Sequence, residues 1–148
     1  MTLKTATKIL IVDDEFYIRD ILSQWLTEEG YECVTAGNVD EACKLLTENS
    51  FSLALLDMMM PEKPGTVILH RLREDHPQVA VLMVTALDDP GISAETHRLG
   101  AYGYITKPFD RDEIVGNIAS ALRRREEMLQ AGESQKRLEQ ELRELKSS

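Results

Sequence analysis

Five side chains of this sequence stand where short apolar segments end, and their types suit chemistry on a phosphoryl group. They are Asp13, Asp14, Asp57, Thr85 and Lys107. Carboxylates that lie close together need a proton or a cation among them, and Mg²⁺ prefers such oxygen ligands. A lysine ammonium can hold a phosphoryl oxygen, and a carboxylate can act as a nucleophile that becomes an acyl phosphate. If the fold brings them together, these side chains could carry out a magnesium-dependent phosphoryl transfer.

Two hydrophobic patterns alternate along the first part of the chain and predict the elements that position this set. Short apolar runs are typical of parallel strands that are buried on both faces, and they occupy 9–12, 32–35, 53–56, 79–84 and 102–105. The segments between them repeat their apolar residues at helical spacing. These β-then-α units predict a doubly wound α/β domain, in which ligands bind at the carboxyl ends of the strands. A lone aspartate there more often caps a helix, but chemically suited residues at several strand ends favour a site.

The composition is that of an acidic globular protein. The chain has 148 residues, 43% hydrophobic content and a net charge of −9, which fit one domain with an appendage. The acidic balance argues against nucleic acid as a direct partner of the main body. No apolar run approaches the roughly 18 residues of a membrane span, and residues 1–6 lack the apolar stretch of a signal peptide. Because Cys33 and Cys43 make no disulfide framework, we expect a cytoplasmic protein with reduced thiols.

The end of the chain differs from the rest. It is rich in Arg, Glu, Gln and Leu and has no aromatic residue, so we divide the chain into a main domain, 1–125, and a helical extension or linker, 126–148. The last helix of the main domain is predicted to reach about Ala131, with a break at Gly132 and a second helical piece beyond. One face of that piece carries Leu138, Leu142 and Leu145. It is interpreted either as a solvated helix or as the start of a coiled coil, and the abrupt stop of the leucines favours a chain cut at Ser148.

The ordered set of residues resembles the receiver domain of bacterial two-component response regulators. Segment 57–65, an aspartate followed by Met-Pro and then Gly, is similar to the acceptor loop of that family, and 99–109 is similar to its fifth-strand segment. The resemblance covers about residues 7–122. It implies a flavodoxin-like parallel sheet with strand order 2-1-3-4-5, flanked by five helices, with the C-terminal helical extension following it.

The resemblance implies a role for each acidic residue. Asp57 would accept a phosphoryl group from a phosphohistidine of a sensor histidine kinase or a phosphotransfer protein. Asp14 would bind Mg²⁺ directly, and Asp13 would bind it largely through water. Asp57 and the main-chain carbonyl of Met59 would complete the protein ligands of the metal ion.

The resemblance also implies how the phosphoryl group is held and sensed. Lys107 would bind one phosphoryl oxygen, and Thr85 would move its hydroxyl onto another. Tyr104 would be an aromatic switch that turns inward when Thr85 moves, which would reshape the face made by the fourth helix, the fifth strand and the fifth helix. The peptide bond between Lys107 and Pro108 would be cis, which only X-Pro bonds adopt at low cost.

The expected function is a phosphorylation-activated signalling switch. It would not be an enzyme with a separate substrate, since it would only assist its own phosphorylation and dephosphorylation. Its switch face would control an output or partner, and a homodimer could form through that face or the C-terminal helix, with no direct contact to nucleic acid or membrane. The alternatives are a non-phosphorylated interaction module of the same fold and, less favoured, an aspartate-based phosphotransferase or phosphatase.

Two apolar residues bear on the chemistry of this switch. Met59 stands where an aspartate-based phosphatase normally has a second aspartate, which argues against that alternative. Met59 and Leu87 also stand where many receiver domains carry polar side chains that orient hydrolytic water. These two positions therefore bear on the lifetime of an aspartyl phosphate.

Overall fold

Parallel strands with continuous apolar runs form the centre of the molecule. The computed structural model describes residues 7–86 and 90–147, and in these residues a single five-stranded sheet has the order β2-β1-β3-β4-β5. The strands are β1 (Lys8–Val12), β2 (Glu32–Ala36), β3 (Leu53–Asp57), β4 (Ala80–Thr85) and β5 (Gly103–Thr106). The helices are α1 (Phe16–Glu28), α2 (Val39–Glu48), α3 (Thr66–Asp75), α4 (Pro90–Arg98) and α5 (Arg111–Ser147). The predicted fold class and strand order are confirmed.

Helices cover both faces of the sheet, so each strand contributes to two apolar layers. Along β1, Leu10 packs into the layer beneath α2 and α3, and its neighbours Ile9 and Ile11 pack into the layer beneath α1 and α5. The central strands β3 and β4 are buried at every position. This burial explains why their sequences are continuously apolar instead of alternating. Because every strand pairs in parallel with its neighbours, the carboxyl ends of the strands lie at the same edge of the sheet.

Side chains and glycines at the element ends set where the helices begin and stop. The amide of Glu41 donates to Asn38 Oδ1 over 2.8 Å at the start of α2, and the amide of Glu113 donates to Asp110 Oδ1 over 2.8 Å at the start of α5. Each bond satisfies one of the free N–H groups of a first helical turn. Gly100 follows α4 with φ of +102°, a conformation that only glycine adopts readily.

The expected break at Gly132 is wrong, because α5 continues unbroken through this residue to Ser147. A glycine inside a helix costs about 1 kcal/mol relative to alanine, but it keeps its N–H and therefore does not interrupt the hydrogen bonds. The neighbouring residues are good helix formers, and no proline follows. From 126 to 146 every side chain is exposed, so this part of α5, called the extension below, leaves the body of the domain. The division of the chain near residue 125 stays a prediction.

Across 7–86 and 90–147, none of the helices combines the length and the apolar character that a bilayer crossing requires.

Candidate functional site

All five side chains singled out from the sequence lie at or just beyond the carboxyl ends of the strands, with Asp14 the second residue after β1. Asp13 follows β1, Asp57 is the last residue of β3, and Thr85 is the last residue of β4. Lys107 follows β5, and its amide donates to the carbonyl of Thr85 over 2.7 Å. Asp13, Asp57 and Thr85 are buried, with at most 4% of their surface exposed.

An acidic cluster forms between β1 and β3. One carboxylate oxygen from each of Asp13, Asp14 and Asp57 lies within 4.8 Å of the others. Asp14 is exposed, so the cluster opens to solvent on its side. Burial, and next the negative charge of Asp13, raise the pKa of Asp57 to about 6. Such a set of oxygens fits a small hard dication, because a positive charge among them would offset both causes of the raised pKa.

A single ammonium group faces both buried carboxylates. Lys107 Nζ lies 2.8 Å from Asp13 Oδ2, 3.5 Å from Asp57 Oδ2 and 3.9 Å from Glu15 Oε1. Burial lowers the pKa of Lys107, but its hydrogen bond to Asp13 and the surrounding negative charges outweigh burial and raise that pKa overall. The lysine therefore stays charged and pairs with the two aspartates.

Local turns fix the other oxygen of each buried aspartate. The amide of Glu15 donates to Asp13 Oδ1 over 2.9 Å, and the amide of Met59 donates to Asp57 Oδ1 over 3.1 Å. Aspartates commonly hydrogen-bond the backbone two residues further on in this way. Because each Oδ1 is held by the backbone, each Oδ2 is directed toward Lys107.

The loop after β3 returns very close to Asp57, and this return requires a glycine. A Cβ atom on Gly65 would lie 2.0 Å from the carbonyl oxygen of Asp57, which is well inside contact distance. The amide of Gly65 also donates to the carbonyl of Met58 over 3.2 Å. The φ of Gly65 is −60°, so the requirement is close approach and not an unusual backbone conformation.

We expect Gly65→Ala to destabilise the domain by about 1–3 kcal/mol, the usual cost of overpacking, because the loop must move away from Asp57. The matched control is Gly116→Ala in α5, where a Cβ atom would meet nothing within 4 Å. That change should stabilise the helix by about 0.5–1 kcal/mol. Urea unfolding of both variants checks the prediction, and equal stabilities would contradict it.

Two predicted residues lie on the side of the site nearer α4. Thr85 is fully buried, and Tyr104 is half-buried against the core. Tyr104 borders a cavity of about 530 Å³, which is also lined by Thr96 and His97 of α4 and by Ala101. The peptide bond between Lys107 and Pro108 is cis, as the resemblance implies. The cavity provides space beside Tyr104, and the switching roles of Thr85 and Tyr104 stay predictions.

One contact of the site was missed by sequence reasoning. Arg19 Nη1 donates to the carbonyl of Asp13 over 2.6 Å, which anchors the turn after β1. Arg19 follows Glu15 by one helical turn, so helical spacing could have suggested that it lies near this turn. Met59 is 59% exposed, and its carbonyl as a metal ligand stays a prediction. Leu87 lies outside the described residues.

The raised pKa of Asp57 predicts a pH dependence of stability in the absence of divalent cations. The folded-state pKa of about 6 exceeds the ordinary value of 3.8. Between about pH 4 and about pH 6 the folded state therefore keeps a proton that the unfolded state has released, so the free energy of unfolding falls as the pH rises. A shift of this size corresponds to about 3 kcal/mol. Urea unfolding of the wild type and Asp57→Asn should show the wild type losing stability relative to the variant across this window, and a constant difference would contradict the prediction.

Comparison with known proteins gives one family for most of the chain. The family model described as response regulator receiver domain matches residues 9–119, which include every residue of the acidic cluster and Lys107. The transcriptional regulatory protein SrrA of Staphylococcus aureus (strain NCTC 8325 / PS 47) is 40% identical over 119 residues, which are 80% of this chain and 49% of that protein. The chain thus spans about half the length of this relative.

Solved structures resemble the chain over similar proportions of its length. A response regulator receiver domain protein of Methanospirillum hungatei JF-1 is 31% identical with a TM-score of 0.80, and the match covers 84% of this chain and 99% of that one. The response regulator protein TrrA of Thermotoga maritima, solved in complex with Mg²⁺-BeF, is 31% identical with a TM-score of 0.71, and the match covers 78% of this chain and 98% of that one.

Proposed function

Because the chain belongs to the response regulator receiver domain family, we propose that it is a phosphorylation-activated switch of a two-component system. Asp57 accepts a phosphoryl group from a sensor histidine kinase or a phosphotransfer protein. The domain acts as a regulator that assists its own phosphorylation and dephosphorylation, and it has no separate substrate.

One observation carries this proposal: the ammonium of Lys107 lies beside two buried carboxylates, at 2.8 Å from Asp13 and 3.5 Å from Asp57. Buried carboxylates are costly, and a purely structural site would more simply contain apolar residues. Asp14 opens the cluster to solvent, which is required for a phosphodonor to enter. The site thus has a nucleophile in Asp57, a fixed cation in Lys107 and access from solvent beside Asp14. These three features suit in-line phosphoryl transfer.

In the proposed reaction, a carboxylate oxygen of Asp57 attacks the phosphorus atom. A bond forms between that oxygen and phosphorus, and the bond from phosphorus to the donor breaks, with its electron pair leaving on the donor group. The ammonium of Lys107 pairs with the Asp57 carboxylate before the transfer and with a phosphoryl oxygen after it, so it stabilises the negative charge throughout. Thr85, on the neighbouring strand, supplies a hydroxyl that binds another phosphoryl oxygen.

The acidic cluster fits Mg²⁺, and we assign its ligands to Asp14, Asp57 and the main-chain carbonyl of Met59, with Asp13 acting through water. When bound, the ion supplies positive charge that allows the carboxylates and the incoming phosphate to lie together. In the Mg²⁺-BeF complex of TrrA, a relative of the same fold has been observed with this metal.

The cavity beside Tyr104 supports a proposal for how phosphorylation changes the surface of the domain. When Thr85 moves toward the phosphoryl group, Tyr104 turns inward, and the face formed by α4, β5 and α5 changes shape. The phosphoryl charge thus biases an element with two arrangements. This face controls an output or a partner protein in the cytoplasm.

Magnesium dependence tests the proposal. Incubation of the chain with acetyl phosphate and Mg²⁺ should add the mass of one phosphoryl group, and EDTA should prevent it. Asp14→Asn should raise the Mg²⁺ concentration needed for half-maximal labelling by about tenfold or more, since even outer partners of metal ligands can contribute this much. Asp20→Asn, which removes the same charge from an exposed position on α1, is the matched control and should not change it. Labelling that is equally efficient in EDTA would overturn the proposal.

A further inference from the structure

The extension of α5 carries an apolar seam, and we propose that it pairs in parallel with the same seam of a second copy of this chain. The seam residues alternate at intervals of four and three: Ala131, Gln135, Leu138, Leu142 and Leu145. This is the spacing of the a and d positions of a heptad repeat. The three leucines have 60%, 58% and 72% of their surface exposed, a large amount of apolar surface for one helix face.

The seam faces away from the body of its own domain. Ile118 is fully buried against the sheet, and Leu138 follows it by about five and a half helical turns. The half turn places the leucines on the side of α5 opposite to the side that packs on the sheet. A second helix can therefore lie along the seam without colliding with the strands.

Contacts at the base of the extension fix its orientation. Arg124 Nη1 donates to the carbonyl of Tyr102 over 2.8 Å, and its guanidinium lies 5.1 Å from the centre of the Tyr102 ring. Arg125 Nε donates to the carbonyl of Gln78 over 2.6 Å, and the Tyr102 hydroxyl donates to Met128 Sδ over 3.2 Å. Because α5 is unbroken beyond these contacts, the body of the domain presents the seam in one direction.

Charges beside the seam favour a parallel second copy over other occupants. Glu141 precedes an a position and Lys146 follows a d position, so they occupy g and e sites. In a parallel pair, Glu141 of one copy faces Lys146 of the next heptad in the other copy, and the two-fold axis generates this attraction twice. In the antiparallel register that layers Leu138 against Leu142, g sites face g sites, and Glu141 lies opposite Glu141 of the other copy. Gln135 at an a position can bond its own twin, and polar residues at such positions set register.

The seam is short, and this sets the strength of the interaction. It covers about two heptads, whereas a stable isolated coiled coil needs three to four. We therefore expect reversible dimers that form between about 1 µM and about 1 mM. Pairing needs no phosphoryl group, so it goes beyond the proposed function and can be tested without it.

Sedimentation equilibrium on the full chain, without a phosphodonor, tests the pairing. Leu142→Glu places a charge in the seam and should raise the dimer dissociation constant by about tenfold or more. Gln140→Glu introduces the same side chain and charge on the opposite face of the same turn, and it should change the constant by less than about twofold. A monomer at every concentration, or a dimer that Leu142→Glu and Gln140→Glu affect equally, would overturn the proposal. The second result would indicate pairing through another surface.

Cysteine cross-linking tests the orientation. In a chain with Cys33 and Cys43 replaced by serine, Ala131→Cys and Leu138→Cys are oxidised separately. In a parallel, in-register pair both positions face their own twins, so both variants should form disulfide-linked dimers. An antiparallel pair can place at most one of them opposite itself, and cross-linking of one variant alone would overturn the parallel arrangement. Circular dichroism confirms that each variant keeps its helices.

Discussion

Asp57→Asn should accept no phosphoryl group from acetyl phosphate in the presence of Mg²⁺. The substitution keeps the shape of the side chain and removes the nucleophilic carboxylate at the end of β3, the one whose Oδ2 lies 3.5 Å from Lys107 Nζ. An amide cannot form the acyl phosphate. Intact mass should show one phosphoryl group on the wild type and none on the variant. The wild-type label should also be released by hydroxylamine, which attacks acyl phosphates and leaves phosphoserine and phosphothreonine intact.

The controls separate loss of the nucleophile from loss of the fold. Asp20→Asn removes an exposed carboxylate from α1 and should label like the wild type. The Asp57→Asn chain should be folded, since removing one of two adjacent buried charges relieves repulsion without divalent cations. Labelling of a folded Asp57→Asn chain at the wild-type level would remove Asp57 from its assigned role.

Lys107→Ala should cause the largest loss of stability that a single site residue can produce here. The substitution leaves Asp13 and Asp57, whose side chains are 3% and 4% exposed, without the ammonium that faces them. Removing one partner from a buried ion pair typically costs about 3–5 kcal/mol, because an uncompensated charge remains. The loss should be greatest above about pH 7, which exceeds the pKa of about 6 of Asp57, and Mg²⁺ should restore part of it by supplying the missing positive charge. Urea unfolding with EDTA or with Mg²⁺ measures both effects.

The chain contains a matched control for this prediction. Lys63 lies at the same 2.8 Å distance from a carboxylate, that of Asp40, but these side chains are 52% and 78% exposed. Exposed pairs contribute little because water and salt screen them, so Lys63→Ala should change stability far less. Equal losses for the two lysine variants would show that burial does not determine the strength of the Lys107 contacts.

Most of the fold follows from hydrophobic patterning. Strands β3 and β4 are buried on both faces, and only continuous apolar runs satisfy that condition, so their positions could be predicted to within a residue or two. The ends of the strands then placed Asp13, Asp57, Thr85 and Lys107 at one edge. The strand order came from the family resemblance, because periodicity alone does not determine which strands are neighbours.

The remaining features depend on tertiary contacts that a linear pattern does not contain. The role of Gly65 depends on a backbone approach of two segments, which is visible only in three dimensions. The bond from Arg19 to the Asp13 carbonyl depends on how α1 leaves the sheet. Gly132 led to a wrong prediction, a break in the last helix. An exposed helix whose other residues favour helix tolerates one glycine.

The unbroken α5 also has a mechanical consequence. Its extension is about 30 Å long at 1.5 Å per residue. The same continuous helix includes the segment that packs beside β4 and β5. In a continuous helix of this length, a small tilt at the base produces a large displacement at the far end. Tilting its base on the sheet by about 5° displaces the far end by about 3 Å, which is comparable with the rise of two helical residues. A small rearrangement of the contacts between α5 and Tyr102 would therefore produce a much larger displacement at the far end of the extension.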